Sequence, residues 1–252
     1  MMLFRIFFTL TIFSFATLVF AIDEYDAIEF RELNLSLIAA AKDGDIDRVR
    51  QRLEEGASVK ARNRFGNTAL ISATRAGNLD IVKLLVEKGS SVDMVNTNAE
   101  TALMNAASGG HEDIVDYLIN NNANISKLSV KNTSALMEAV FAGHPSIVKT
   151  LLKFYADVSV EDHLGKTTLN YAAAKGNVEI IQMLVEHGAD INRQSENNLT
   201  SLMWAAGYGK TEAVEILLKL GADATLKDNR GMTALMIAEE NFFYGIVKLL
   251  QP

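Results

Sequence analysis

Six tripeptides recur at a constant interval of 33 residues: Thr68-Ala69-Leu70, Thr101-Ala102-Leu103, Ser134-Ala135-Leu136, Thr167-Thr168-Leu169, Thr200-Ser201-Leu202 and Thr233-Ala234-Leu235. One step back stands Leu35-Ser36-Leu37, a degraded copy at the same phase. A fixed period of this size specifies a stack of small units in place of one central core. Other columns keep the phase. Five residues after each start stands Ala40, Ala73, Ala106, Ala139, Ala172, Ala205 and Ala238. Nine residues after stands glycine, from Gly44 through Gly209, until Phe242 breaks the column. Apolar pairs such as Ile81-Val82 and Ile147-Val148 follow, then Leu85, Leu118, Leu151, Leu184, Leu217 and Leu250.

Spacing turns these columns into local structure. Leu70 and Ala73 are three apart, so they share a helix face. The Thr68 hydroxyl stands where a helix N-cap accepts a backbone N–H. Gly77 ends that helix in a left-handed conformation. Ile81, Val82, Leu85 and Val86 form the stripe of a second helix, which Gly89 ends. Each unit is therefore a pair of short antiparallel helices and a loop, and it buries its apolar face only against its neighbours. Asn132 and Asn198 fall where other copies have a loop glycine, and we read both as left-handed turn residues.

The unit resembles the ankyrin repeat. The likeness is best in Gly165-Lys166-Thr167-Thr168-Leu169-Asn170-Tyr171-Ala172-Ala173 and in Gly188-Ala189-Asp190. It implies an all-α ankyrin-repeat solenoid of helix-turn-helix units with projecting hairpin loops over residues 30–252. About seven repeats follow: 30–62, 63–95, 96–128, 129–161, 162–194, 195–227 and 228–252. No copy has the family's proline after the threonine. Ile71, Met104, Met137, Asn170, Met203 and Met236 replace its histidine, which predicts buried packing between repeats. Arg48, Arg50, Gln51 and Arg52 make the first copy's second helix polar outward, as a terminal repeat requires. Phe242, Phe243 and Tyr244 are expected to close the far end of the core.

Residues 1–21 read as an address and not as structure. Arg5 is the only charge before Asp23, an apolar run spans Ile6 to Phe20, and Val19-Phe20-Ala21 fits a cleavage site. We expect a signal peptide over 1–21, a short leader over 22–29, and a periplasmic or secreted protein. An uncleaved segment anchored in the inner membrane is the alternative. A bacterial source is preferred, since the repeated Thr-Ala-Leu-Met resembles bacterial members of the family. Loss of Arg5 takes the net charge from −7 to −8. That charge disfavours nucleic acid as a partner. With no cysteine in the chain, thiol chemistry and disulfides are excluded. The four histidines, His111, His144, His163 and His187, share no repeat at metal-ligand spacing. No phosphate loop, dinucleotide fingerprint or nucleophile elbow is present. No catalytic residue, metal or cofactor is assigned, and the oligomeric state is not set by the sequence.

The resemblance implies that the chain binds another protein. Leu at +2 and Ala at +5 of each tripeptide point into the stack, so +4, +7 and +8 share the opposite side. In the ankyrin family that side lines a concave groove, extended by the hairpin tips. Aromatic residues collect there in neighbouring copies: Phe141, Tyr171, Trp204 and Tyr208, with Glu138 and Lys175 beside them. Phe65, Leu164, Leu199 and Met232 are apolar at hairpin positions that are usually polar. Such rings are common binding anchors. We expect a scaffold with no enzymatic activity that docks a partner across these residues, with Tyr171→Ala and Trp204→Ala abolishing capture at little cost in stability. By family analogy it would serve as an immunity or inhibitor protein for a toxin or hydrolase, or as a stabiliser of an exported enzyme. A host-directed effector is the more remote role.

Overall fold

The computed structural model describes residues 27–251; the proposed address over 1–21 and its cut after Ala21 lie outside the described residues. Every periodic Thr or Ser caps a helix. Thr68, Thr101, Ser134, Thr167, Thr200 and Thr233 each accept the backbone N–H three residues on, at 3.1–3.3 Å. The helices they start are α3 (Ala69–Arg75), α5 (Ala102–Gly109), α7 (Ala135–Ala142), α9 (Thr168–Lys175), α11 (Ser201–Gly207) and α13 (Ala234–Glu240). Between them run α4 (Leu79–Glu87), α6 (Glu112–Asn120), α8 (Pro145–Lys153), α10 (Val178–Glu186), α12 (Thr211–Lys219) and α14 (Tyr244–Leu250). The first copy consists of α1 (27–43) and α2 (Ile46–Glu54). Helix α1 runs through Leu35-Ser36-Leu37 without a cap there. The described residues are helical, with no strand and one isolated bridge, Glu161 to Thr167.

The odd-numbered helices from α3 to α13 pack on one another in one layer, and the even-numbered helices from α2 to α14 in a second. The core is the seam between layers. Leu70, Leu103, Leu136, Leu169 and Leu202 are buried from one side, and Leu85, Leu118, Leu151, Leu184 and Leu217 from the other. Helix α2 buries only Val49 completely, which agrees with its polar outer face.

A left-handed backbone runs through the whole glycine column, and at Gly77, Gly110 and Gly209 close approach of the next copy adds to it. A Cβ at Gly77, where φ is +76°, would stand 2.7 Å from the His111 ring of the next copy. Phe242 adopts φ of 60° at the same column without glycine's freedom. Asn132 and Asn198 are left-handed at φ near 60°, as expected.

A column that the tripeptides do not reveal holds the hairpins. Asn63, Asn96, Asp162 and Asp228 each accept two backbone N–H groups, at positions +2 and +4, through one side-chain oxygen at 2.9–3.1 Å. Ser129 does the same at 3.2 Å. Successive tips are tied by single backbone bonds, such as Thr97 N–H to the Phe65 carbonyl and Val130 N–H to the Asn98 carbonyl.

Two expectations fail at the last copy, for one reason. Ile71, Met104, Met137, Asn170 and Met203 are buried as predicted, but Met236 is 41% exposed. No further described helix stacks on α13, so the column has nothing to pack against. Phe242 and Tyr244 likewise do not close the core: they are 72% and 67% exposed and lean on each other with ring centroids 6.5 Å apart. Phe243 alone turns inward, covering Gly209 as His111 covers Gly77.

Candidate functional site: an aromatic strip across α7, α9 and α11

Helical geometry sorts the groove-side positions by depth. Position +8 is exposed in every copy from Ala76 to Asn241, and +7 is exposed except at Ala174 and Gly207. Position +4 leans against the neighbouring copy and is buried or half-buried throughout. Phe141 at +7 and Tyr208 at +8 therefore stand out at 52% and 57% exposure, whereas Tyr171 and Trp204 at +4 are half-buried and rest on the core.

The four rings form two contacting pairs. Phe141 packs edge-on against Tyr171 with centroids 5.6 Å apart, an arrangement that suits ring quadrupoles. Trp204 stacks on Tyr208 one turn later at 5.8 Å and 21°. Lys166 joins the two pairs, its Nζ 4.7 Å from the centre of Trp204 and 5.8 Å from that of Tyr171. Lys175 places Nζ 4.5 Å over Phe141. Ammonium groups over ring faces are held electrostatically, and partial desolvation strengthens the contact.

Tyr171 is fixed from beneath. Its hydroxyl donates to Asp162 Oδ2 at 2.5 Å, and the other Asp162 oxygen accepts the backbone N–H groups of Leu164 and Lys166. The turn that aims Lys166 into the strip is thus the turn that orients Tyr171. Burial pushes the Tyr171 phenol well above the ordinary tyrosine range, and the Asp162 bond and the charges of Asp162 and Glu138 push it the same way. The phenol remains a neutral donor. Glu138 accepts the Thr133 hydroxyl at 2.8 Å at the edge of the strip. The Trp204 indole N–H is buried and has no hydrogen-bond partner.

The hairpin residues divide into three groups. Leu164, two residues beyond Asp162, is exposed at its tip. Leu199 and Met232 occupy the same column as Lys166, four residues beyond the turn residue, and are half-buried against the core. Phe65 is 54% exposed but lies two copies away, in a hollow between α1 and the first hairpin. The structure therefore joins Phe141, Tyr171, Trp204, Tyr208, Lys175 and Glu138, and separates Phe65 from them. It also revises one expectation: Tyr171 and Trp204 both pack against the core and Tyr171 makes a part-buried hydrogen bond, so replacing both with alanine will cost stability as well as ring surface. Lys166 escaped sequence reasoning because its role depends on the turn at Asp162 and on Trp204 in the next copy. Its signal is the hairpin column of Asn, Ser and Asp, which places residue +4 beside the groove.

Among the described residues, no group of three or more His, Cys, Asp or Glu side chains is placed to hold a metal ion. No helix among them is long and apolar enough to cross a membrane. A family model described as ankyrin repeats (3 copies) matches residues 37–129 and 121–195. The chain belongs to the ankyrin-repeat family. A second model, ankyrin repeats (many copies), matches residues 184–238. No curated protein matches the chain. This ankyrin-repeat array is a protein–protein interaction scaffold, and its strip presents apolar ring edges and two ammonium groups on one face.

Proposed function

We propose that the strip on α7, α9 and α11 is where this ankyrin array docks a partner protein, and that it binds without catalysing a reaction. One observation carries this reading. Four aromatic rings stand on the groove side as two contacting pairs bridged by Lys166, and the outer ring of each pair is more than half exposed. Aromatic side chains supply large rigid contact area at small entropic cost, and a few of them dominate the energy of most interfaces. We further propose that the protein is exported, on the layout of its first 21 residues.

The exposed rings give the cleanest test. Phe141→Ala with Tyr208→Ala removes ring surface that the core does not use. Purified protein carrying both changes should lose specific capture of its partner from a periplasmic or culture extract. Each ring contributes about 2 kcal/mol or more if it is an anchor, while the thermal midpoint should stay near that of the unaltered chain. Full capture by the double variant would place the docking surface elsewhere.

A further inference from the structure

The hollow that holds Phe65 is built from different material from the strip. Two adjoining recesses of about 490 and 690 Å³ lie between α1, the first hairpin and α3, and share Leu35, Asn63 and Phe65. Their apolar walls stay open to solvent: Phe30 is 51% exposed, Phe65 54% and Leu35 39%. Five cationic side chains line them, Arg31, Lys42, Arg62, Arg64 and Arg75. Among the described residues no carboxylate lines either recess, although the chain carries a net charge of −7.

Two of the five cations are tied down. Arg75 pairs with Glu100 at 3.2 Å, and the Arg62 guanidinium donates to the Val95 carbonyl. Those contacts hold both groups in place at the rim. Arg64 lies over the Phe65 ring at 4.6 Å, so an arginine and a phenylalanine present one joint surface. Neither Arg64 nor Lys42 has a carboxylate within ion-pair distance among the described residues. A local positive field on a negative molecule selects a partner of opposite sign at that spot.

We infer that this hollow is a second docking site and that its occupant is an acidic peptide segment carrying apolar side chains. Carboxylates meet Lys42, Arg64 and Arg31, and an aliphatic or aromatic side chain enters between Phe30, Leu35 and Phe65. Shape and charge argue for this occupant over other anions. A recess walled on two sides by a helix and a hairpin fits a chain segment and not a flat bilayer. A nucleic acid, with charge at every phosphate, meets the repulsion of the whole acidic molecule, whereas a short peptide meets mainly the field of the hollow. The inference stands apart from the proposed role of the strip, since no residue is shared.

The probe is a fluorescein-labelled peptide, SDLEDFEDLS, titrated with the full chain and followed by anisotropy. Its lysine counterpart SKLKKFKKLS, a twelve-residue oligothymidylate and vesicles of phosphatidylglycerol are run in parallel. We expect the acidic peptide to bind with Kd below about 100 µM at low salt and to weaken as salt shortens the Debye length. Lys42→Glu with Arg64→Glu should weaken it at least about tenfold, as two reversed charges imply. Phe141→Ala with Tyr208→Ala should leave it unchanged, so failure at the strip and failure here are separable. Circular dichroism of both variants verifies folding, and Phe65→Ala supplies an uncharged second variant that should also weaken binding. The inference is overturned if the acidic peptide does not bind, or if the lysine peptide binds as well. Tighter binding of the oligonucleotide or vesicles, or an unchanged Kd in both hollow variants, overturns it too.

Discussion

Tyr171 shows how one side chain serves packing, hydrogen bonding and the proposed contact surface together. Its ring supports Phe141, and its hydroxyl meets the carboxylate that fastens the hairpin. Tyr171→Phe keeps the ring and removes the bond. It should cost about 1.5–3 kcal/mol in denaturant unfolding near neutral pH, the usual range for a hydrogen bond to a charged group. The folded phenol's pKa is raised, so its contribution is complete below the free tyrosine value near 10 and is lost as pH rises above it. The variant's stability should fall less steeply between pH 10 and 12 (about the range of tyrosine ionisation) than that of the unaltered protein. Phe242 offers the opposite prediction. It is exposed and left-handed at φ of 60° in a column otherwise filled by glycine. Phe242→Gly should therefore raise stability by about 1 kcal/mol, the scale of the left-handed penalty for a side chain with a Cβ. An unchanged denaturation midpoint would mean that the ring contact to Tyr244 offsets the strain.

Between residues and the whole array stands the helix pair, and here the period was most informative. Thr68 and its equivalents were legible as caps because capping is local: the hydroxyl and the N–H it accepts are three residues apart. The left-handed turns at Asn132 and Asn198 were legible for the same reason. The link from Tyr171 to Asp162 was not, since it closes only when the hairpin folds back. The ring–lysine contacts were not either, because Lys166 reaches a tryptophan in another copy. The position replacing the family histidine shows how one column acquires two fates. Met137 is 2% exposed between two neighbours, and Met236 is 41% exposed beside one. Met137→Glu buries an unpaired carboxylate and should destabilise by about 3 kcal/mol or more. Met236→Glu should stay within about 0.5 kcal/mol, as surface changes do. Equal losses in a paired urea titration would mean that the last helix is covered in solution.

At the scale of the molecule, length says little and order says much. The core is a seam that runs the length of the array and has no centre; each copy is stabilised by its neighbours, so position along the stack decides what a residue does. The order of the copies was fixed by the period, and the adjacency of Phe141, Tyr171 and Trp204 followed from it. The ends were not readable in the same way, because a column predicts burial only where a next copy exists. That is why Met236, Phe242 and Tyr244 face outward against expectation. The distance of Phe65 from the strip was not readable either, since its place in the hollow depends on the length of α1. The central claim is that partners dock on the strip side of the array and not on the outer helices. A photo-crosslinking residue placed at Tyr208, on the exposed edge of the strip, reports this directly, with Lys149 on the outer surface of α8 as the comparison. Irradiation in an extract of the compartment where the protein resides should give a discrete partner adduct from position 208 and none from position 149. An adduct from 149, or none from 208 while the partner is still captured, would contradict the account.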